Sequence, residues 1–525
     1  VCSDIPYAPM EFEGEGPRGL AYTGFDIELM DAMAADLGSK LEVIDSEHAP
    51  PEQLAEALSH ELAALRARGG EEALELELLR HLLPLTHRLG LLRDHKADVE
   101  RARQLAARDP RRYLAFSALK AEIAELEGHL PEAEAVIREA LQKAGSHEEH
   151  SGALLVVRLG RLLLRQERAD EAQQLFEKAL PVLESSGAPS LAATCQFYLG
   201  NVALHQGRFE DALDLHQKAL ERRRRQGKPR SIGISLSALG RVHLLLGRFP
   251  ESLACYQQAE QIFLELGEEE ERSFALLGTG LALSRIGDFA AASAPLRRAL
   301  LLREKAHNTV GEAIARLAVA ENYLQLNQLD SALSEARRSL FDLQLLPGRS
   351  AVVADAHQLL GRVLLALRRY EEAERALSEA LAEHQRFDSL EAAALDLAWW
   401  LESAIARNDD AEIRRLLDQL AEVLKARASI GQREVLEYRL FQAHRRLAQS
   451  PEDQRYFLRH LRRAYQELLR KASYLDRDKR HFYLFRVPEH QAILAAASEH
   501  GLSMPDLPSP LVGGAAGSAS EAPSN

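Results

Sequence analysis

The chain has 525 residues, too many for one compact core, so it must form several domains or an extended repeat array. Leu, Ala, Glu and Arg dominate, aromatics make up 6%, and the net charge of −14 argues against nonspecific nucleic-acid binding by the whole surface, though not against a local basic groove. The three cysteines, Cys2, Cys195 and Cys255, have no metal-type spacing and are too few for a disulfide scaffold, which suits a reducing, cytoplasmic compartment, and no apolar run reaches the roughly 18 residues of a membrane span.

Within residues 1–45, the stretch 22–45, "YTGFDIELMDAMAADLGSKLEVID", reads as a turn, an amphipathic helix and a strand. Starting at Val1 without Met, the chain reads as processed, truncated or joined. "SDIPYAPMEF" followed by "YTGFDIELMDAMAADLG" resembles the opening of the first lobe of periplasmic amino-acid-binding proteins, and the resemblance implies ligand contacts at Asp4 and Tyr7 and a periplasmic setting for that segment. The remaining strands and the second lobe of that fold have no counterpart, so the segment is expected to be an incomplete α/β appendage with unpaired edges. Residues 46–110 carry helical periodicity without a repeat and are expected to form a degenerate helical cap, broken at Gly69 and Gly70.

From residue 111 to 386 the sequence beats at forty residues. Gly160, Gly200, Gly240, Gly280 and Ala320 stand 40 residues apart, and Gly361 follows 41 later. Nine residues after each small residue comes Ala169, Phe209, Phe249, Phe289, Leu329 or Tyr370, and small residues recur three and ten positions beyond that. A weaker copy upstream holds Ala121, Leu130, Ala133 and Ala140 in the same phase. Small residues let one helix backbone approach the next, and each helix pair, apolar on two faces, must stack on a neighbour to bury both. The stretch "YLGNVALHQGRFEDALDLHQKALE" resembles the tetratricopeptide (TPR) family in its longer variety. That resemblance implies an all-α, right-handed α-solenoid of helix pairs. Ser190 and Ser231 are expected to be N-caps of first helices.

Residues 387–502 keep the helical rhythm but lose the glycine, as degenerate repeats and a cap would. Within them "DRDKRHFYLFRVPEHQAILAAASEHGL" resembles the close of the TPR region in bacterial multidomain signalling proteins, where a Ser/Thr kinase or ATPase precedes the repeats. Residues 503–525, rich in Pro, Ser, Gly and Ala, are expected to be a disordered tail.

Chemistry is sparse. No phosphate loop, kinase Gly-rich strand pair, H-R-D or D-F-G triplet occurs, so no catalytic residue, metal or cofactor is expected. His147 and His150 in "HEEH" lack H-E-x-x-H spacing and read as a solvated loop. Cys195 and Cys255 read as small hydrophobes inside helices, and "ERRRRQGKPR" as a basic helix end or a docking patch for an acidic partner.

The TPR resemblance implies that the residue after each small residue faces the concave groove: Arg161, Asn201, Arg241, Leu281, Glu321 and Arg362. One turn further come Arg165, His205, Leu245, Arg285, Gln325 and Ala366. The expected partner-binding residues are therefore Arg161, Arg165, Asn201, His205, Arg241, Arg285 and Arg362, a basic stripe on an acidic chain suited to carboxylates. The Lys/Asn carboxylate clamp of chaperone-binding TPR domains is not reproduced, since Val157, Phe197 and Ser237 stand on the turn before. The expected function is a scaffold or regulatory module for a protein or peptide, an acidic one being favoured. The alternatives are a regulatory fragment of a bacterial kinase or ATPase, and an amino-acid receptor fused to a scaffold.

Overall fold

Leu- and Ala-rich stretches of 3.6-residue period form 23 α-helices and two short 3-10 helices in the described part of the computed structural model. The structure describes residues 51–69, 71–144, 150–166, 168–185, 188–306, 308–345, 351–387, 389–425 and 432–502, and no strand occurs among them. The α/β segment with Asp4 and Tyr7, the tail from 503, Cys2 and most of "HEEH" lie outside those residues.

The chain divides into two compact units, with the boundary between Tyr198 and Leu199. The first contains α1 (Pro51–Ala67), α2 (Glu72–Arg88), α3 (Lys96–Leu105), α4 (Pro110–Leu126), α5 (Leu130–Ala144), α6 (His150–Arg165) and α7 (Ala169–Ser185), and the boundary falls within α8 (Pro189–His205). The second continues with α9 (Phe209–Gln226), α10 (Pro229–Leu245), α11 (Phe249–Leu266), α12 (Glu269–Ile286), α13 (Phe289–Lys305), α14 (Thr309–Gln325), α15 (Leu329–Gln344), α16 (Ala351–Ala366) and α17 (Tyr370–Arg386). It closes with α18 (Leu390–Ala406), α19 (Asp410–Lys425), α20 (Arg433–Leu447), α21 (Pro451–Ala472), α22 (Arg477–Phe485) and α23 (Pro488–Glu499).

The residues nine after each small one are the first residues of the second helices: Ala169, Phe209, Phe249, Phe289, Leu329 and Tyr370 open α7, α9, α11, α13, α15 and α17. Two residues earlier every turn in the second unit adopts a left-handed backbone, at Gly207, Gly247 and Gly287 and then at Asn327, Arg368 and Asn408. The expected serine caps are not used. Ser190 and Ser231 lie inside α8 and α10, which begin on Pro189 and Pro229, because a proline fixes the helical φ at a position whose N–H would be orphaned anyway.

Tightness at the small residues sets the packing. The Tyr256 ring on α11 is wedged between Gly240 of its own repeat and Gly278 of the next, where an added Cβ would lie 3.0 and 2.3 Å from ring atoms. In the second unit successive first helices α10, α12, α14, α16 and α18 also touch one another, forming one layer. Against that layer α22 packs on α12, and one core joins Phe249, Leu253, Ala282 and Ile286 to Leu468, Tyr483 and Ile493 of α21–α23. Gly287 makes this approach possible, since a Cβ there would fall 2.7 Å from the Phe482 carbonyl oxygen.

Charge is buried as well. His384 on α17 lies between Asp396 (Nδ1 to Oδ2, 2.6 Å) and Asp355 (Nε2 to Oδ1, 3.3 Å), and Gln358 donates to Asp396 Oδ1 at 2.7 Å. Burial alone would lower the imidazole pKa, but hydrogen bonds to Asp355 and Asp396 push it up to about 9.

Two outcomes follow from this packing. Gly278→Ala gains about 1 kcal/mol of helix propensity but overpacks Tyr256 at a cost of about 1–3 kcal/mol, so urea denaturation should show a net loss. For His384, whose folded pKa is raised, the stabilisation is complete below its ordinary value near 6.5 and disappears as pH rises through about 9. The stability advantage of the wild type over His384→Gln should therefore be full at pH 6 and largely gone by pH 10.

Candidate functional site

The first-helix positions fall into two groups, one in each unit. In the first unit Arg161 and Arg165 on α6 turn towards Glu125 of α4, with Arg161 Nη2 at 2.7 Å and Arg165 Nη1 at 3.6 Å from the same carboxylate oxygen. Arg158 Nε donates to the other oxygen at 2.8 Å, and the Glu125 side chain is 0% exposed. Three guanidinium groups thus share one buried carboxylate, with Glu122 at 3.2 Å from Arg158 as a second acceptor. Sequence reasoning missed Glu125 and Arg158. Arg158 stands three and seven residues before the two expected arginines, so helical spacing alone puts all three on one face.

In the second unit Asn201 is half-buried and its amide nitrogen finds no hydrogen-bond acceptor among the described residues, while His205 is exposed. Beneath them the His216 ring packs against Gly200. Burial, with help from the charges of Arg241 and Arg223, pushes His216 down to about 3, so the ring is neutral. Arg241 is half-buried on α10.

Further along the same layer, Leu245, Leu281, Arg285, Glu321, Gln325 and Arg362 line one wall of a cavity of about 150 Å³. Every one occupies a position assigned to the groove by register. The opposite wall is supplied by Glu434, Lys471, Tyr483, Val487, Glu489 and His490 of α20–α23. Arg285 and Arg362 were expected to face a partner in the groove; here the C-terminal helices cover this part of the layer, because the apolar faces of α21–α23 find their partner in α11 and α12.

Two ion pairs fix the walls. Arg362 holds Glu321 with both terminal nitrogens, at 2.5 and 2.8 Å, and lies over the Trp399 ring at 4.6 Å. Burial would raise the Glu321 carboxyl, but the charge and hydrogen bonds of Arg362 hold it below its ordinary value. Lys471 Nζ sits 2.6 Å from Glu434 Oε2, with side chains 4% and 6% exposed. His490 Nδ1 donates to the Tyr483 carbonyl at 2.6 Å, and burial lowers its pKa, with Glu434 opposing. The Tyr483 hydroxyl is raised well above its ordinary value by burial and finds no hydrogen-bond partner among the described residues.

Cys195 and Arg223 make structural contacts. Cys195 Sγ donates to the Phe176 carbonyl at 3.2 Å, and burial pushes its thiol up to about 12 and that of Cys255 up to about 11. In the basic run Arg223 is buried and donates to Ser231 O and Ser235 Oγ, so that part ties α9 to α10. Among the described residues no three His, Cys, Asp or Glu side chains group to hold a metal ion, and no helix is long and apolar enough to cross a membrane.

Comparison with known proteins agrees with the repeat reading. A tetratricopeptide repeat family model matches residues 151–225 and 231–305, and a second matches residues 354–382. No curated protein matches the chain. Solved structures that resemble it include BtubC from P. vanneervenii, at 24% identity over 41% of this chain and 92% of that one, with a TM-score of 0.37. A Rap protein complexed with competence and sporulation factor is 14% identical over 66% of this chain and 98% of the other, with a TM-score of 0.46. A signal-transduction ATPase with numerous domains and a tetratricopeptide repeat sensor, from Pyrococcus horikoshii, is 16% identical over 64% of this chain, which spans 52% of its length, with a TM-score of 0.46.

The Lys471–Glu434 pair carries a direct test. Glu434→Leu leaves a buried ammonium without its main counter-charge and should cost about 3–5 kcal/mol by urea denaturation, whereas adding Lys471→Met should recover most of that loss.

Proposed function

Since the chain carries tetratricopeptide repeats, we propose that it is a protein-interaction module whose first-helix face receives a segment of a partner polypeptide. The observation that carries this reading is the convergence of register positions from four successive first helices, α10, α12, α14 and α16, on one cavity: that face presents side chains as well as burying them. Upstream of the covered part, Asn201, His205 and Arg241 offer an amide donor, an imidazole and a guanidinium, a set suited to backbone carbonyls and to acidic side chains. Arg161 and Arg165 contribute less, because Glu125 already neutralises part of their charge.

An array of acidic twelve-residue peptides presented to the full chain tests the reading. A subset should bind, and Arg241→Glu should weaken that binding at least tenfold while shifting the melting temperature by no more than about 2 °C. Unchanged affinity would remove Arg241 from the docking face. Nucleotide turnover by the purified chain would overturn the scaffold reading itself.

A further inference from the structure

We propose that the cavity between α12–α16 and α22–α23 binds a small zwitterion, a free α-amino acid with an apolar side chain. Four of its lining charges cancel in pairs, Arg362 with Glu321 and Lys471 with Glu434. Of the other charged lining residues, Glu391 has contacts of its own, while Arg285 and Glu489 form no ion pair with any described residue. One cation and one carboxylate across a space of about 150 Å³ match a ligand that carries one carboxylate and one ammonium.

Hydrogen bonding points the same way. Three buried atoms in the wall have no partner among the described residues: Arg362 Nε and Tyr483 Oη, which can donate, and Gln325 Oε1, which accepts. Buried polar groups are costly to leave unsatisfied, and a carboxylate with an adjacent ammonium supplies both kinds of partner. Tyr483 is only 1% exposed, so its hydroxyl depends on whatever occupies the cavity. The rest of the wall mixes Ser284, Glu391 and Gln432 with the apolar Leu281, Phe289, Trp399 and Val487, which suit an apolar side chain beside the charged head. This site lies on the same first-helix layer that carries the docking reading but uses residues other than Asn201 and Arg241, so a titration with a small ligand can fail while peptide binding upstream persists, and the reverse.

Calorimetric titration of the full chain with L-leucine, 4-methylpentanoate and isoamylamine separates the possibilities. Leucine should bind with a Kd below about 1 mM, and each analogue that keeps one charge should bind at least tenfold more weakly. Arg285→Gln and Glu489→Gln are substitutions outside the hydrophobic core and should each weaken leucine at least tenfold with the melting temperature retained. Absence of binding heat for leucine, valine and isoleucine would overturn the proposal. So would leucine binding that neither substitution alters, since the ligand would then lie elsewhere in the chain.

Discussion

Close backbone approach at the small residues is the constraint on which the other features depend. Tyr256 can fill the seam between two repeats only because Gly240 and Gly278 leave no Cβ in its way, and the same relation places Phe176 against Gly160 and Leu377 against Gly361. Because the helices sit so near, the polar residues on their flanks reach across to the next pair. Arg158 meets Glu122, Arg230 meets Glu271, Ser284 meets Asn322 and Arg362 meets Glu321, each about one repeat away in sequence. Isolated surface pairs of this kind contribute little, but when partly buried they fix the rotation of one repeat against the next and penalise alternative registers.

That fixed rotation gives the first-helix layer its chemistry. Positions that face outward from one helix pair become neighbours across several pairs, so residues 40 residues apart, such as Leu281 and Glu321, line one cavity. Binding in such a layer needs no specialised loop. It needs a charge or an amide at a register position, held by a pair behind it, as Glu321 holds Arg362.

Much of this was legible in the sequence because forty-residue spacing encodes nearest-neighbour packing directly. The opening residue of each second helix, the small residues at the seams and the set of first-helix positions that line the cavity all follow from phase. Three things were not legible. Ser190 and Ser231 carry the chemistry of caps, but the prolines beside them take the helix start, a local competition that propensity alone does not rank. Glu125 lies in the weak copy, where the pattern is blurred, although the spacing of Arg158, Arg161 and Arg165 hints at a shared acid. The folding of α21–α23 onto α11 and α12 has no periodic signal at all, because it joins residues that no repeat relates.

The contact of the Phe249 and Tyr483 rings, 5.6 Å apart at centroid, therefore changes the thermodynamic character of the second unit. An open stack is a one-dimensional chain of neighbours, whose ends fray and whose interior opens one repeat at a time. Joining position 249 to position 483 closes a loop of helices, and the closure entropy is recovered only once the C-terminal helices dock. Between α12 and α20 no repeat is then an end. Hydrogen exchange in that span should report cooperative opening of the closed block, in place of the gradient of protection that an open array shows towards its ends.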